Sequence, residues 1–203
     1  MQPPTGILPL FSNAIAEHLE VVSSLQAQGE LLESIARRLT ATVEAGKKIL
    51  WCGNGGSAAD AQHLAAELIG RFRRERRAIP SIALTTDTSI LTSVGNDYGF
   101  EGIFRRQVEA LAGPGDALVG LSTSGTSKNV CAAIEKARAL GAFTIAMTGS
   151  GGGRAAQLAD TAICIESNDT ARIQEAHILV GHMLCDWIEQ HACSPQAAEA
   201  GSL

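Results

Sequence analysis

After Gly46 the hydrophobic pattern of the chain changes period. Short runs at KILWC (48–52), SIALTT (81–86), ALVGLST (117–123), FTIAMTG (143–149) and TAICIE (161–166) are apolar through most of their length rather than at alternate positions. A strand with one wet face alternates, whereas a strand covered on both faces does not. Between the runs lie helix-length segments such as SKNVCAAIEKARALG (127–141). Alternating strands and helices predict an α/β fold with a parallel sheet and right-handed crossovers.

Before Gly46 the spacing is helical. Leu19, Val22 and Leu25, then Leu31, Leu32, Ile35, Leu39 and Val43, recur every three or four residues and predict two helices over 10–45, with Gly29 and Gly46 at their ends. A last helix is predicted at about 171–191. One domain over 1–194 is expected, and the tail SPQAAEAGSL is expected to be disordered over 195–203.

Composition narrows the class. Aromatic residues make up only 4% of the chain against 45% hydrophobic residues, so the core is built from Ala, Val, Ile and Leu. A net charge of −5 argues against a broad nucleic-acid surface. The one basic cluster, RFRRERR (71–77), is expected to be a solvated turn after a helix. Cys52, Cys131, Cys164, Cys185 and Cys193 show no CxxC spacing, which argues against a thiolate zinc site, and their odd number without a signal sequence points to a reducing cytoplasm. No secretion leader and no membrane span are expected.

The loops carry the candidate chemistry. CGNGGS (52–57) and STSGTS (122–127) each follow an apolar run and open a helix. Glycine lets backbone amides approach an anion, and a helix start offers unpaired N–H groups. Ordinary turns and caps use the same residues. The hydroxyls of Ser122, Thr123, Ser124 and Ser127 favour phosphate at the second loop. Neither loop has the Gly-Lys-Ser/Thr of a Walker A loop or the GxGxxG of a dinucleotide fold. GSGGGR (149–154) is expected to close a strand-to-helix turn. His63 and Glu67 are four residues apart and share a helix face. Asp60 and Gln62 are expected to point elsewhere. On the last helix Gln174, His177 and His182 interrupt an apolar surface, although a lone histidine there more often sits satisfied in a core.

Taken together, CGNGGSAADAQHLAAEL, TTDTSILTSVGNDYGFEGIFRRQVEAL, LSTSGTSKNV and ARIQEAHILVGH resemble the phosphoheptose isomerases of the sugar isomerase (SIS) superfamily, over about residues 10–191. The resemblance implies a flavodoxin-like fold with a five-stranded parallel sheet. It also implies a homotetramer with active sites between subunits. The implied reaction converts sedoheptulose 7-phosphate to D-glycero-D-manno-heptose 7-phosphate, at the head of lipopolysaccharide and surface-glycan heptose synthesis. It implies one zinc ion per subunit on His63, Glu67, Gln174 and His182, with Glu67 and His182 as the catalytic pair. Implied phosphate contacts are Ser57, Ser122, Thr123, Ser124 and Ser127. Implied sugar contacts are Asn54, Gly55, Gly56, Asn96 and Asp97, with Glu67 and Gln174 also facing substrate. Ala171 stands where some relatives carry Asp. A carboxylate on zinc is a weaker base, so either zinc is structural or Glu67 shifts its coordination during turnover. The alternative is a non-catalytic SIS protein that binds the replication initiator DnaA, a role that would need neither Glu67 nor His182. Gln174 and His182 stand ~12 Å apart along one helix, which predicts a site that needs more than one chain.

Overall fold

The computed structural model describes residues 6–192. The tail expected over 195–203 lies outside the described residues. Five parallel strands form one sheet: β1 (Ile49–Gly53), β2 (Ser81–Ala83), β3 (Ala117–Ser122), β4 (Phe143–Thr148) and β5 (Thr161–Cys164), in the order β2-β1-β3-β4-β5. Every residue of β1 and β3 is buried. Successive side chains feed opposite cores: Ile49 and Trp51 enter one, Leu50 and Cys52 the other. That is why these runs are continuously apolar. The buried indole N–H of Trp51 donates to Ser81 Oγ at 2.8 Å, so this donor is paired inside the core.

One core is covered by α1 (Ile7–Ser24), α2 (Gly29–Glu44), α3 (Gly56–Ile69) and α8 (Thr170–His191). The other is covered by α4 (Thr88–Tyr98), α5 (Ile103–Leu111), α6 (Lys128–Ala139) and α7 (Gly153–Leu158). The α/β fold and the five-stranded sheet match the sequence expectation. Gly29 does not end a helix as expected; it begins α2 with helical angles (φ −53, ψ −48). The break is the 3-10 turn Leu25–Gln28 before it, where the Gln28 side chain donates to the Cys164 carbonyl. Gly46 does close α2, at φ 71.

The strand order places a switch point between β1 and β3. Their following helices, α3 and α6, lie on opposite faces, so the carboxyl ends of these two strands open a crevice where open α/β sheets bind ligands.

His177 on α8 is wholly buried, and its Nε2–H donates to the Thr148 carbonyl at 3.2 Å. Burial pushes its pKa down to about 4, with the Thr148 bond acting the other way. An unfolded imidazole, near 6.5, takes up a proton that the buried one refuses. The stabilisation is therefore complete above pH 6.5 and is lost as pH falls towards 4. In urea unfolding between pH 7.5 and pH 5, the wild type should lose about 2 kcal/mol more stability than His177→Gln. Equal losses would show that His177 does not carry this dependence.

Candidate active site

The helix α3 starts directly after β1, and α8 packs alongside it. Gly181 makes the close approach possible: a Cβ there would stand 2.5 Å from Leu64 Cδ1. The next residue, His182, thereby meets α3. Its Nε2 stands 2.9 Å from His63 Nε2, and His63 Nε2 is 3.2 Å from Glu67 Oε1. One ligand atom from each of His63, Glu67 and His182 falls within a 4.8 Å group. Two imidazole nitrogens and a carboxylate oxygen form the donor set of a catalytic zinc site, which keeps one position open. Tetrahedral ligands at zinc bond lengths stand about 3.3 Å from one another, close to the observed 2.9 and 3.2 Å. The cluster therefore fits a divalent ion.

Burial holds the His182 pKa below the ordinary histidine value. A positive charge on His63 lowers it further, Glu67 acts in the other direction, and Arg73 lowers it again. The imidazole is kept neutral, as a metal ligand must be. Asp60, expected to point elsewhere, stands one turn before His63 and close enough to feel its charge. Burial pushes its carboxyl up to about 6, and His63 draws it back. Its Oδ2 is buried without a hydrogen-bond partner.

Gln174 stands apart from the other three. Its side-chain amide lies over Gly56, where a Cβ would be 2.6 Å from Nε2. Gly56 is seven residues before His63, or roughly 10 Å along α3. Within one chain, Gln174 thus joins the loop at the start of α3 and not the cluster.

The loops at 52–57 and 122–127 lie at the crevice. Asn54 and Asn129 bridge them by exchanging side-chain amide bonds of 2.9 and 2.8 Å. Asn129 had drawn no attention in the sequence, because a single Asn inside a helix start carries no pattern. Gly55 and Gly56 are exposed, and Ser57 is buried in the first turn of α3. In the second loop Ser122 Oγ donates to Ser127 Oγ at 2.9 Å, and Ser124 Oγ accepts from the Thr126 N–H at 3.2 Å. Ser127 is the N-cap residue of α6 but makes no side-chain cap bond. Thr123 accepts from the Gly149 N–H through its carbonyl at 2.9 Å. The turn at 149–152 joins β4 to α7 as expected, and it also backs the loop at 122–127. Asn96 and Asp97 are exposed in the last turn of α4, where Asn96 Nδ2 donates to Asp97 Oδ1 at 2.8 Å.

The basic stretch 71–77 is an irregular turn after α3 whose Arg71, Arg73, Arg74, Glu75 and Arg77 are exposed, as expected from its charge; Phe72 and Arg76 are the exceptions. The Arg76 side chain is 2% exposed; its guanidinium donates to the carbonyls of Glu67, Gly70 and Arg77, and its Nε lies 3.3 Å from Glu189. Breaking such a buried pair is strongly destabilising. Arg76→Ala should lower the unfolding free energy by about 3 kcal/mol or more, and Arg77→Ala, at an exposed residue, by less than about 0.5 kcal/mol. Chemical denaturation of both variants checks this, and equal small losses would contradict it.

The SIS domain family model matches residues 11–149. The phosphoheptose isomerase of Aquifex aeolicus is 54% identical over 169 residues, covering 83% of this chain and 88% of the relative. The solved phosphoheptose isomerase of Neisseria gonorrhoeae superposes with a TM-score of 0.86 at 41% identity, covering 91% of this chain and 100% of that one. That of Francisella tularensis gives 0.84 at 38% identity, with 94% and 100% covered. A parallel sheet in the order β2-β1-β3-β4-β5, an acid–imidazole cluster between α3 and α8, and these likenesses agree: the chain belongs to the phosphoheptose isomerase family of SIS-domain proteins.

Proposed function

We propose that the chain is an aldose–ketose isomerase converting sedoheptulose 7-phosphate to D-glycero-D-manno-heptose 7-phosphate. The observation that carries this reading is the His63–Glu67–His182 cluster, in a chain 54% identical to an enzyme of that name. A protein that only bound DnaA would need no such group, and the relatives named above lend that alternative no support.

Ketose-to-aldose conversion removes a proton from C1 and delivers one to C2 through an enediolate. Glu67 is the base for the carbon acid, since its carboxylate is within reach of a substrate at the cluster. His182, held neutral, relays protons between the two oxygens. His63, Glu67 and His182 would hold one zinc ion, and when bound it acts as a Lewis acid on the substrate oxygens. The loop at 122–127 takes the phosphate on the N–H groups at the start of α6 and on Ser122, Thr123, Ser124 and Ser127. Ser57, in the first turn of α3, adds a further phosphate contact, and Asn54, Gly55, Gly56, Asn96, Asp97 and Gln174 take the sugar.

The working form is a homotetramer of single-domain subunits in the cytoplasm, with sites completed between subunits. The distance from Gln174 to the cluster supports this. So does the apolar face of α1, where Ile7, Phe11, Ile15 and Leu19 recur at four-residue spacing and are each more than half exposed. Among the described residues no helix is long and apolar enough to cross a membrane. The product would feed heptose synthesis for lipopolysaccharide or other surface glycans.

Removing metal with a chelator should abolish turnover of sedoheptulose 7-phosphate, and added zinc should restore it. Full activity after chelation would remove the metal from the mechanism. In parallel, light scattering should give a tetramer, and a fully active monomer would overturn the shared site.

A further inference from the structure

The basic stretch 71–77 is the one sequence motif that the phosphosugar chemistry leaves unused, yet it touches the cluster. The Phe72 ring stacks on the His182 imidazole, with centroids 5.3 Å apart and planes 23° apart. The Arg73 guanidinium carbon lies 5.1 Å from the Phe72 centroid. His63 meets the same imidazole differently, at 5.1 Å and 76°, in an edge-on arrangement. His182 is thus flanked by a flat apolar face and by the edge of a second imidazole.

The stretch has no helix or strand of its own to hold Phe72 there. A single carboxylate does it instead. Glu189 Oε1 accepts the Phe72 N–H at 2.9 Å, and Oε2 accepts those of Arg73 and Arg74 at 2.8 and 2.9 Å. Glu189 is only 2% exposed. Burial alone would push its carboxyl up, but the backbone donors of Arg73, Phe72 and Arg74, with Arg76, outweigh this and hold it below the usual range. A buried carboxylate is costly unless it is fully hydrogen-bonded, so this one fixes the register of its loop to the residue. Glu189 follows His182 by seven residues, two helical turns, and so lies on the same face of α8. One helix therefore carries both the imidazole and the anchor for the ring that packs on it.

We propose that Phe72 and Glu189 are positioning residues for His182: Glu189 sets the loop, and the Phe72 ring fixes the plane of the imidazole so that Nε2 points at His63 and Glu67. The proposal rests on reading His182 as a working residue of the cluster. Ligand geometry tolerates only about 10–20° of misorientation, and loss of groups that orient a ligand typically costs 10–100-fold in metal affinity or activity.

The test uses the full-length protein with cobalt(II) as the spectroscopic probe and sedoheptulose 7-phosphate as substrate. Phe72→Leu should bind cobalt at least about tenfold more weakly and lose about tenfold or more in kcat, with KM changed by less than about twofold. Phe72→Tyr, which keeps the flat ring, should restore both. Glu189→Gln keeps one acceptor oxygen but not the charge. It should show the same kcat loss at unchanged KM under conditions where its thermal transition shows it folded. Wild-type cobalt affinity and kcat in Phe72→Leu would overturn the proposal, as would a loss that Phe72→Tyr does not rescue. Should the wild type bind cobalt but fail to turn over sedoheptulose 7-phosphate, the functional reading falls. The cobalt affinities of Phe72→Leu and Phe72→Tyr then still decide the positioning role.

Discussion

Glu67→Gln should lower kcat for sedoheptulose 7-phosphate by about 10²–10⁴-fold while leaving KM within a few-fold. The carboxamide has nearly the shape of the carboxylate but cannot take a proton from carbon. Glu67 sits in the last turn of α3, with its Oε1 3.2 Å from His63 Nε2, so the exchange changes charge and basicity at the cluster with little change of packing. Steady-state kinetics of the purified variant measures it. Unchanged kcat would remove Glu67 as the base.

The second large effect is expected at Gly125, in the middle of the loop proposed to take the phosphate. Its φ is +66, a conformation that side chains with a Cβ rarely adopt, and the added atom would lie 2.2 Å from the Gly152 carbonyl oxygen. That oxygen belongs to the backbone of the turn backing the loop, so the contact is relieved only by moving one loop away from the other. The left-handed angle itself costs roughly 1–2 kcal/mol. A displaced loop misaims its donors. Losing two hydrogen bonds to a charged group at about 1.5 kcal/mol each amounts to about 100-fold in affinity. Gly125→Ala should therefore raise KM about 100-fold. Gly151→Ala shares the positive φ (+78) but has open space around it, and it should stay near the wild-type KM. A wild-type KM in Gly125→Ala would move the phosphate away from this loop.

The parts legible in the sequence are those fixed by local pattern. Continuous apolar runs marked all five strands because both faces of the sheet are covered. Positions four apart put His63 and Glu67 on one face. That His182 joins them is a long-range fact, set by Gly181 against Leu64 across 117 residues, and only the family resemblance pointed to it. The ordinary core-histidine reading suits His177, which is wholly buried, and not His182, whose ring meets the cluster. The anchoring of the 71–77 stretch was hidden for the same reason. Its charge suggests solvent, but its anchor, Glu189, lies on the last helix, more than a hundred residues away. Asn129 and Asp60 likewise gain meaning only from their neighbours in space.

The most direct test of the account is to incubate sedoheptulose 7-phosphate with the purified zinc-loaded protein and follow the sugar by NMR. The account predicts that the ketose signals decline and the anomeric signals of D-glycero-D-manno-heptose 7-phosphate appear, at a rate proportional to enzyme. Glu67→Gln and His182→Gln should leave the spectrum unchanged over the same period. A zinc-loaded wild-type protein that leaves the ketose intact, or variants that form the aldose as fast as the wild type, would contradict it.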